Sequence, residues 1–293
     1  IKRSDFLNCL RVFNEFIIIF APKSFIMTLQ KWIKDRAIHG FPTFSIEDVR
    51  ETGMYSSEQI LQNELYRLCS NKTIASVYRG FYVIIPVQYV LRGSVPATYY
   101  IDQLMAYLSK PYYVCMLSAA ELLGAAHQRP QQFSVMTTFP KRRVVSTRNV
   151  IIDWFYREGL PEDALITKNT ETGTIRISNP LLTAADLVQY QQHVGGLSHV
   201  ATILEELSEQ INIKSQFASL ASFVKKVTWQ RLGYILEHVV EENELADELY
   251  EQIQNLPGSL MYMPLSTSAE DNTSERNSRW KININVQIEK DDL

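Results

Sequence analysis

Cysteine is scarce in this chain of 293 residues: Cys9, Cys69 and Cys115 stand far apart, and no C-x-x-C pair occurs. That excludes a disulfide framework and a zinc ribbon and makes a reducing, cytoplasmic setting the expected one. Long apolar runs are lacking too. The patch Phe16 to Ala21 is too short to span a bilayer, and no cleavage-site pattern follows it, so neither a membrane span nor secretion is expected. The glycines form no Walker or dinucleotide-binding signature. The five histidines are scattered, and His193 and His199 lack the helical i, i+3 or i+4 spacing of metal pairs. Neither a metal nor another cofactor is expected.

Positive charge is also in short supply, with a net charge of −3, which argues against a polycation that coats nucleic acid. Its distribution is uneven. Residues 27–86 carry seven Lys/Arg against six Asp/Glu, residues 87–153 seven against three, and residues 154–293 eleven against twenty-one. Basic charge therefore gathers in the first half, ahead of an acidic second half, a split that suits one DNA-facing side.

What is present is a helix–helix–helix–hairpin series over residues 28–86. Thr28 caps a first helix with Leu29, Trp32, Ile33 and Ala37 inward, ending near Gly40 and Pro42. Ser45 followed by Asp48 reads as a capping box opening a short second helix, with Ile46 and Val49 inward and Gly53 as its stop. A second such pattern, Ser56 with Gln59, starts the third helix at Ser56 or Ser57. On that helix Gln59, Gln62, Asn63, Tyr66, Arg67 and Ser70 recur at helical spacing, while Ile60, Leu61, Leu65, Leu68 and Cys69 take the other side. Amide, phenol and guanidinium groups on one face are the groups that read base edges and phosphates in a major groove. The helix N-terminus at Ser56 and Ser57 suits a phosphate. Lys72 precedes a β-hairpin, Ile74 to Tyr78 and Phe81 to Pro86, whose turn Arg79-Gly80 places an arginine at the tip of a wing.

Beyond Val87 a linker holding Arg92-Gly93 and Pro96-Ala97 leads to a helix through Ile101, Leu104, Met105 and Leu108. Tyr112 to Ala126 reads as one apolar helix. Strands are expected at Phe133–Thr137, Val144–Thr147 and Val150–Phe155, around a basic turn at Lys141, Arg142 and Arg143, with further strands at Ala164–Thr167 and Thr174–Ile177. Lys141, Arg142, Arg143 and Arg148 read either as an exposed hairpin turn or as a second DNA-facing patch. Helices follow from Thr183, whose pairing with Asp186 looks like a capping box, and the alternation Ile282, Ile284, Val286, Ile288 marks a late strand able to join the sheet. The expected fold class is α+β: an N-terminal winged helix-turn-helix over 27–86, then a larger mixed α/β domain over 87–293 with a small sheet and several helices. The chain starts with Ile, and Met27 lies just before the first helix, so residues 1–26 read as an extension: an artefact, translation upstream of the natural start, or an extra helix.

Catalysis is not expected. Gly93-Ser94 followed by Asp102 lacks the second carboxylate of a nucleotidyltransferase site, and Ser118, His127 and Asp102 come without a nucleophile-elbow pattern.

The run YYVCMLSAAELLGAAHQRPQQFSVMTT (Tyr112 to Thr138), preceded by YRGFYVIIP (Tyr78 to Pro86), resembles the AbiEi antitoxins of AbiE toxin–antitoxin systems. LTAADLVQYQQHVGGLSHVATILEELSE (Leu182 to Glu209) and WQRLGYILE (Trp229 to Glu237) are similar to the same family, so the resemblance runs from about Thr28 to the C-terminus. It implies a bacterial antitoxin whose winged helix binds inverted-repeat double-stranded DNA and represses its own operon. The implied toxin is nucleotidyltransferase-like and is opposed without a stable complex. A different reading, drawn from the acidic second half, makes that half an interaction module that restrains the toxin or its target directly.

Overall fold

In a computed structural model the described residues are 28–126, 130–141, 152–270 and 275–289. Chain order begins with α1 (Leu29–Ile38), β1 (Thr43–Ser45), α2 (Ile46–Glu51), α3 (Glu58–Ser70), β2 (Ile74–Tyr78) and β3 (Phe81–Ile84). The three strands form an antiparallel sheet in the order β1-β3-β2. Local chemistry accounts for the helix starts: Thr28 accepts from the Lys31 amide, and Ser45 and Asp48 complete a reciprocal capping box. At α3 the cap is Ser57, which accepts from the Ile60 amide, so Ser56 lies outside the helix and its pattern with Gln59 is not used.

Two burial expectations in this region are corrected. Ala37 is exposed, and Ile60 is 52% exposed, because the inward side of α3 runs through Leu61, Leu65 and Leu68, with Cys69 partly buried beside them.

The second unit comprises α4 (Ile101–Tyr107), β4 (Tyr112–Val114), α5 (Met116–Leu123), β5 (Phe133–Thr138), β6 (Ile152–Arg157), β7 (Leu165–Thr170), β8 (Gly173–Ser178) and α6 (Pro180–Gln189). It continues through α7 (Gly196–Ser208), α8 (Ile213–Leu220), α9 (Lys226–Ile235), a π-helical turn at Leu236–Val240, and α10 (Asn243–Gln254). Short strands β9 (Met263–Pro264), β10 (Arg276–Asn277) and β11 (Ile282–Asn283) follow. The main sheet has the order β6-β5-β4-β8-β7, and the class is α+β as expected.

Alternation along the central strands explains the layering, since successive side chains leave a strand on opposite faces. Tyr113, Cys115, Met136 and Phe155 point into a core shared with α5 to α10. Tyr112, Val114, Val135, Ile175 and Ile177 point the other way, onto Ile101, Leu104, Met105 and Leu108 of α4. The same layer takes Val77, Phe81 and Val83 from the small sheet. Phe44, Ile74, Tyr82 and Ile84 close the third core with α1, α2 and α3. The hairpin thus has no solvent face, and α4 is packed between two sheets.

Several expectations for this unit change. Tyr112–Val114 is a strand because its residues pair on both sides, with β5 antiparallel and with β8 parallel, and only Met116–Leu123 is helical. Strands β5 and β6 run parallel, so no simple hairpin turn joins them; the expected strand Val144–Thr147 lies outside the described residues. Helix α6 starts at Asn179, whose side chain accepts from the Leu182 amide, with Pro180 in the first turn. Thr183 and Asp186 are instead buried helix-interior residues: the Thr183 hydroxyl contacts Ser178 and Asn179. The late strand does not reach the main sheet. Ile282–Asn283 pairs with β9 and β10 in a separate three-stranded sheet.

That small sheet is held by α9. Gln230 Nε2 donates to the carbonyls of Met261 (2.9 Å) and Trp280 (2.8 Å), and Arg231 Nε to that of Pro264 (2.9 Å). Trp280 is fully buried with its indole nitrogen donating to Glu237, and its ring lies directly on Gly233. A Cβ at position 233 falls 2.0 Å from that ring.

Deeper in the same core, Tyr113 donates to Asp186 Oδ2 (2.9 Å) and Arg157 donates to the Tyr113 hydroxyl (2.7 Å). Arg157 stops 3.8 Å from Asp186 Oδ1, and that oxygen is buried without a hydrogen-bond partner. Burial therefore outweighs the pull of Arg157 and the Tyr113 hydrogen bond, and the Asp186 carboxyl is pushed up to about 6.

Two outcomes follow from these packings. Gly233→Ala is expected to destabilise the fold by about 3 kcal/mol, the upper range for overpacking, and to expose Trp280, read by denaturant melts and tryptophan fluorescence. An acid whose folded value is raised favours folding below its unfolded value and loses that contribution as pH climbs to the folded one. Stability should accordingly fall between about pH 4 and pH 6 by roughly 3 kcal/mol, and Asp186→Asn should flatten that slope in melts across the range.

Candidate nucleic-acid interface

Helix α3 presents an exposed polar face. Gln59, Gln62, Asn63, Tyr66, Arg67 and Ser70 are all exposed, Tyr66 to 76%, while the opposite side is sealed onto α1, α2 and the small sheet. The structure brings together what the helical spacing had grouped. It adds Ile60 to that surface, and the apolar assignment of that residue was the reason it was missed.

The side chains on this face are ordered by one another. Gln59 Nε2 donates to Asn63 Oδ1 (3.1 Å), and Gln62 Nε2 donates to Glu58 Oε1 (3.0 Å). A carboxylate can only accept, so Glu58 fixes which end of the Gln62 amide faces it. Arg67 forks onto Glu64 through Nε (3.0 Å) and Nη2 (2.6 Å). From α2, Arg50 reaches Glu58 through Nε (3.2 Å) and Nη2 (2.7 Å) and Glu47 through Nη1 (3.1 Å). Hydrogen bonds from Arg50 and then Gln62 hold the Glu58 carboxyl below the usual range, and Arg67 does the same for Glu64. The two guanidiniums are raised in turn, each by its carboxylate hydrogen bond. Arg50 was not a sequence candidate. Its position on α2 hid it, and only the crossing of α2 with the start of α3 places it here.

At the N-terminus of α3 a hollow of about 210 Å³ is lined by Val49, Arg50, Tyr55, Ser56, Ser57, Glu58 and Leu61. Ser56 and Ser57 are exposed at its rim. The hydroxyl of Ser57 is engaged as the helix cap.

Lys72 and Arg79 part company. Lys72 adopts a left-handed backbone (φ 54°) straight after α3, and its ammonium lies 3.4 Å from the Leu91 carbonyl. Its methylenes run along Gly93, so this side chain turns into the linker and away from the α3 face. Arg79 is exposed at the hairpin tip, but the turn itself is tied down. The Gly80 carbonyl accepts from the Ile46 amide (2.8 Å), and Tyr107 on α4 donates to the Arg79 carbonyl (3.4 Å). Gly80 needs its positive φ of 74° to make this turn, and a bulge between Ser76 and Tyr78 precedes it. The wing is short and anchored.

Of the second basic patch, Lys141 is exposed and lies 5.6 Å from the centre of the Tyr156 ring, whereas Arg142, Arg143 and Arg148 are outside the described residues. Arg231 is buried under the tail sheet. The hydroxyl of Ser118 accepts from the Ser134 amide (3.0 Å), and Asp102 accepts from Tyr112 (3.0 Å); His127 is outside the described residues. These contacts give Ser118 and Asp102 structural partners on different elements. Among the described residues no cluster of metal-ligating side chains occurs, and no helix is long and apolar enough to cross a membrane.

The fold is similar to the crystal structure of the RV2827C protein from Mycobacterium tuberculosis, with a TM-score of 0.63 at 12% identity over 85% of this chain and 88% of that one. At that identity the likeness is one of fold alone. No curated protein matches the sequence. Residues 112–238, which run from β4 to the π-helical turn, match the AbiEi antitoxin C-terminal domain. The chain thus carries, over those residues, a domain of the AbiEi antitoxin C-terminal type.

Proposed function

We propose that residues 27–86 are a winged-helix DNA-binding domain, that residues 87–293 are the antitoxin domain, and that the protein represses its own toxin–antitoxin operon while opposing a nucleotidyltransferase-like toxin. The observation that carries the DNA reading is the exposed polar face of α3, backed by an order of helix, strand, helix, helix and hairpin. In this reading the N-terminal half of α3 enters a major groove. Gln59, Gln62 and Asn63 meet base edges, Tyr66 and Arg67 meet the groove wall, and Ser56, Ser57 and Arg79 lie against phosphates. Lys72 is left out of the contact set because its side chain is turned to the linker. Two copies on an inverted repeat follow from one half-site per chain.

A second reading is favoured by the charge of the antitoxin domain, where residues 154–293 hold twenty-one Asp/Glu against eleven Lys/Arg. That surface attracts a basic partner and makes the domain a direct restraint on the toxin or its target. Calorimetry with purified toxin separates the two: saturable binding supports direct restraint, and its absence supports antagonism without a complex.

Gln62→Ala combined with Asn63→Ala should lower discrimination between operator and random duplex by roughly 10- to 100-fold, with random binding little changed. Arg79→Ala should weaken both duplexes alike and reduce the salt slope by about one. Electrophoretic shifts over a salt series check both, and operator affinity unchanged in the two variants overturns these contacts.

A further inference from the structure

Residues 45–70, which build α2 and α3, contain five carboxylates (Glu47, Asp48, Glu51, Glu58, Glu64) against two guanidiniums, Arg50 and Arg67. Both guanidiniums are forked onto carboxylates, with shortest contacts of 2.7 Å for Arg50 to Glu58 and 2.6 Å for Arg67 to Glu64. A surface built to hold duplex DNA by charge has the opposite balance, because phosphate attraction is supplied by unpaired Lys and Arg. Here an arginine that turns to a phosphate leaves its carboxylate facing the same phosphate.

Resting on the DNA-binding reading above, we propose that Glu58 and Glu64 are specificity-determining residues. By holding Arg50 and Arg67 they cancel sequence-independent attraction on this face. Tight binding then requires base-edge hydrogen bonds from the amides of Gln59, Gln62 and Asn63. Specificity is a difference of affinities, and a repulsive element directed at every wrong sequence enlarges that difference without any new favourable contact. The placement fits the task. Glu58 sits in the first turn of α3, where a recognition helix meets the groove, and Glu64 lies about 1.7 turns on, beside Arg67. Glu58 acts also as a positioning residue, since its carboxylate fixes the Gln62 amide.

The test uses the full chain, a random-sequence 30-base-pair duplex and a duplex that the wild-type protein selects from a random library. Glu58→Gln, Glu64→Gln and the double variant keep side-chain volume while removing one or two negative charges. Expected for the double variant is random-duplex affinity raised about tenfold or more, a salt slope steeper by roughly two, and a smaller ratio of selected to random affinity. Each single variant should show about half the slope change. Glu162→Gln, which breaks a comparable pair with Arg176 (2.7 Å) in the second unit, should change none of these. Random-duplex affinity and slope unchanged in the double variant overturn the proposal while leaving the DNA reading intact, and so does an equal gain from Glu162→Gln. A wild-type protein that retains no duplex sinks the DNA reading itself, and the proposal with it.

Discussion

The burial of the small three-stranded sheet on both faces organises the molecule. Phe81 and Val83 point to α4, while Tyr82 and Ile84 point to the three helices, so a four-residue strand serves two cores at once. A lone hairpin with one wet face is free to swing, and this one is not. Because α4 also covers the main sheet through Tyr112, Val114 and Val135, the orientation of α3 is fixed relative to that sheet by continuous apolar contact. Polar ties reinforce the join. Thr172 donates to the Tyr99 carbonyl (2.6 Å), Tyr89 to Glu171 (2.7 Å), and Lys72 reaches the Leu91 carbonyl.

That arrangement places two chemically different surfaces on one rigid support. The α3 face is polar and self-paired, with its charges cancelled locally. The second unit is acidic in sequence and rests on a core that admits few charges, with Asp186 and Arg157 as its buried pair. A buried pair of that kind is weak evidence for stability, since desolvation offsets its attraction. Here it ties β6 to α6 through Tyr113 on β4, three elements that lie within the family-matched region. The tail sheet, fastened by Gln230, Arg231 and the close approach of Trp280 to Gly233, lies beyond the residues that match the family.

Much of the first unit was legible in its residues because its signals are local. Caps at Thr28 and Ser45, the Leu61–Leu65–Leu68 stripe and the Arg79-Gly80 turn each depend on neighbours a few positions away. The second unit was less legible. Tyr112–Val114 has the apolar continuity of a helix, and only pairing with β5 and β8 makes it a strand. Thr183 and Asp186 imitate a helix start but lie inside α6, since Asn179 and Pro180 supply the earlier one. Short apolar runs carry no period that distinguishes a buried strand from a buried helix.

By itself the sequence determined the α+β class, the polar face of α3 and the separation of a mildly basic first half from an acidic second, because spacing and charge are properties of the chain alone. Tertiary structure decided which of those groups are available. It turned Lys72 into the linker, anchored the wing on Tyr107, brought Arg50 from α2 onto Glu58 and buried Asp186 beyond reach of a full ion pair. Each of these depends on residues distant in the chain meeting in space, and no local pattern records such a meeting.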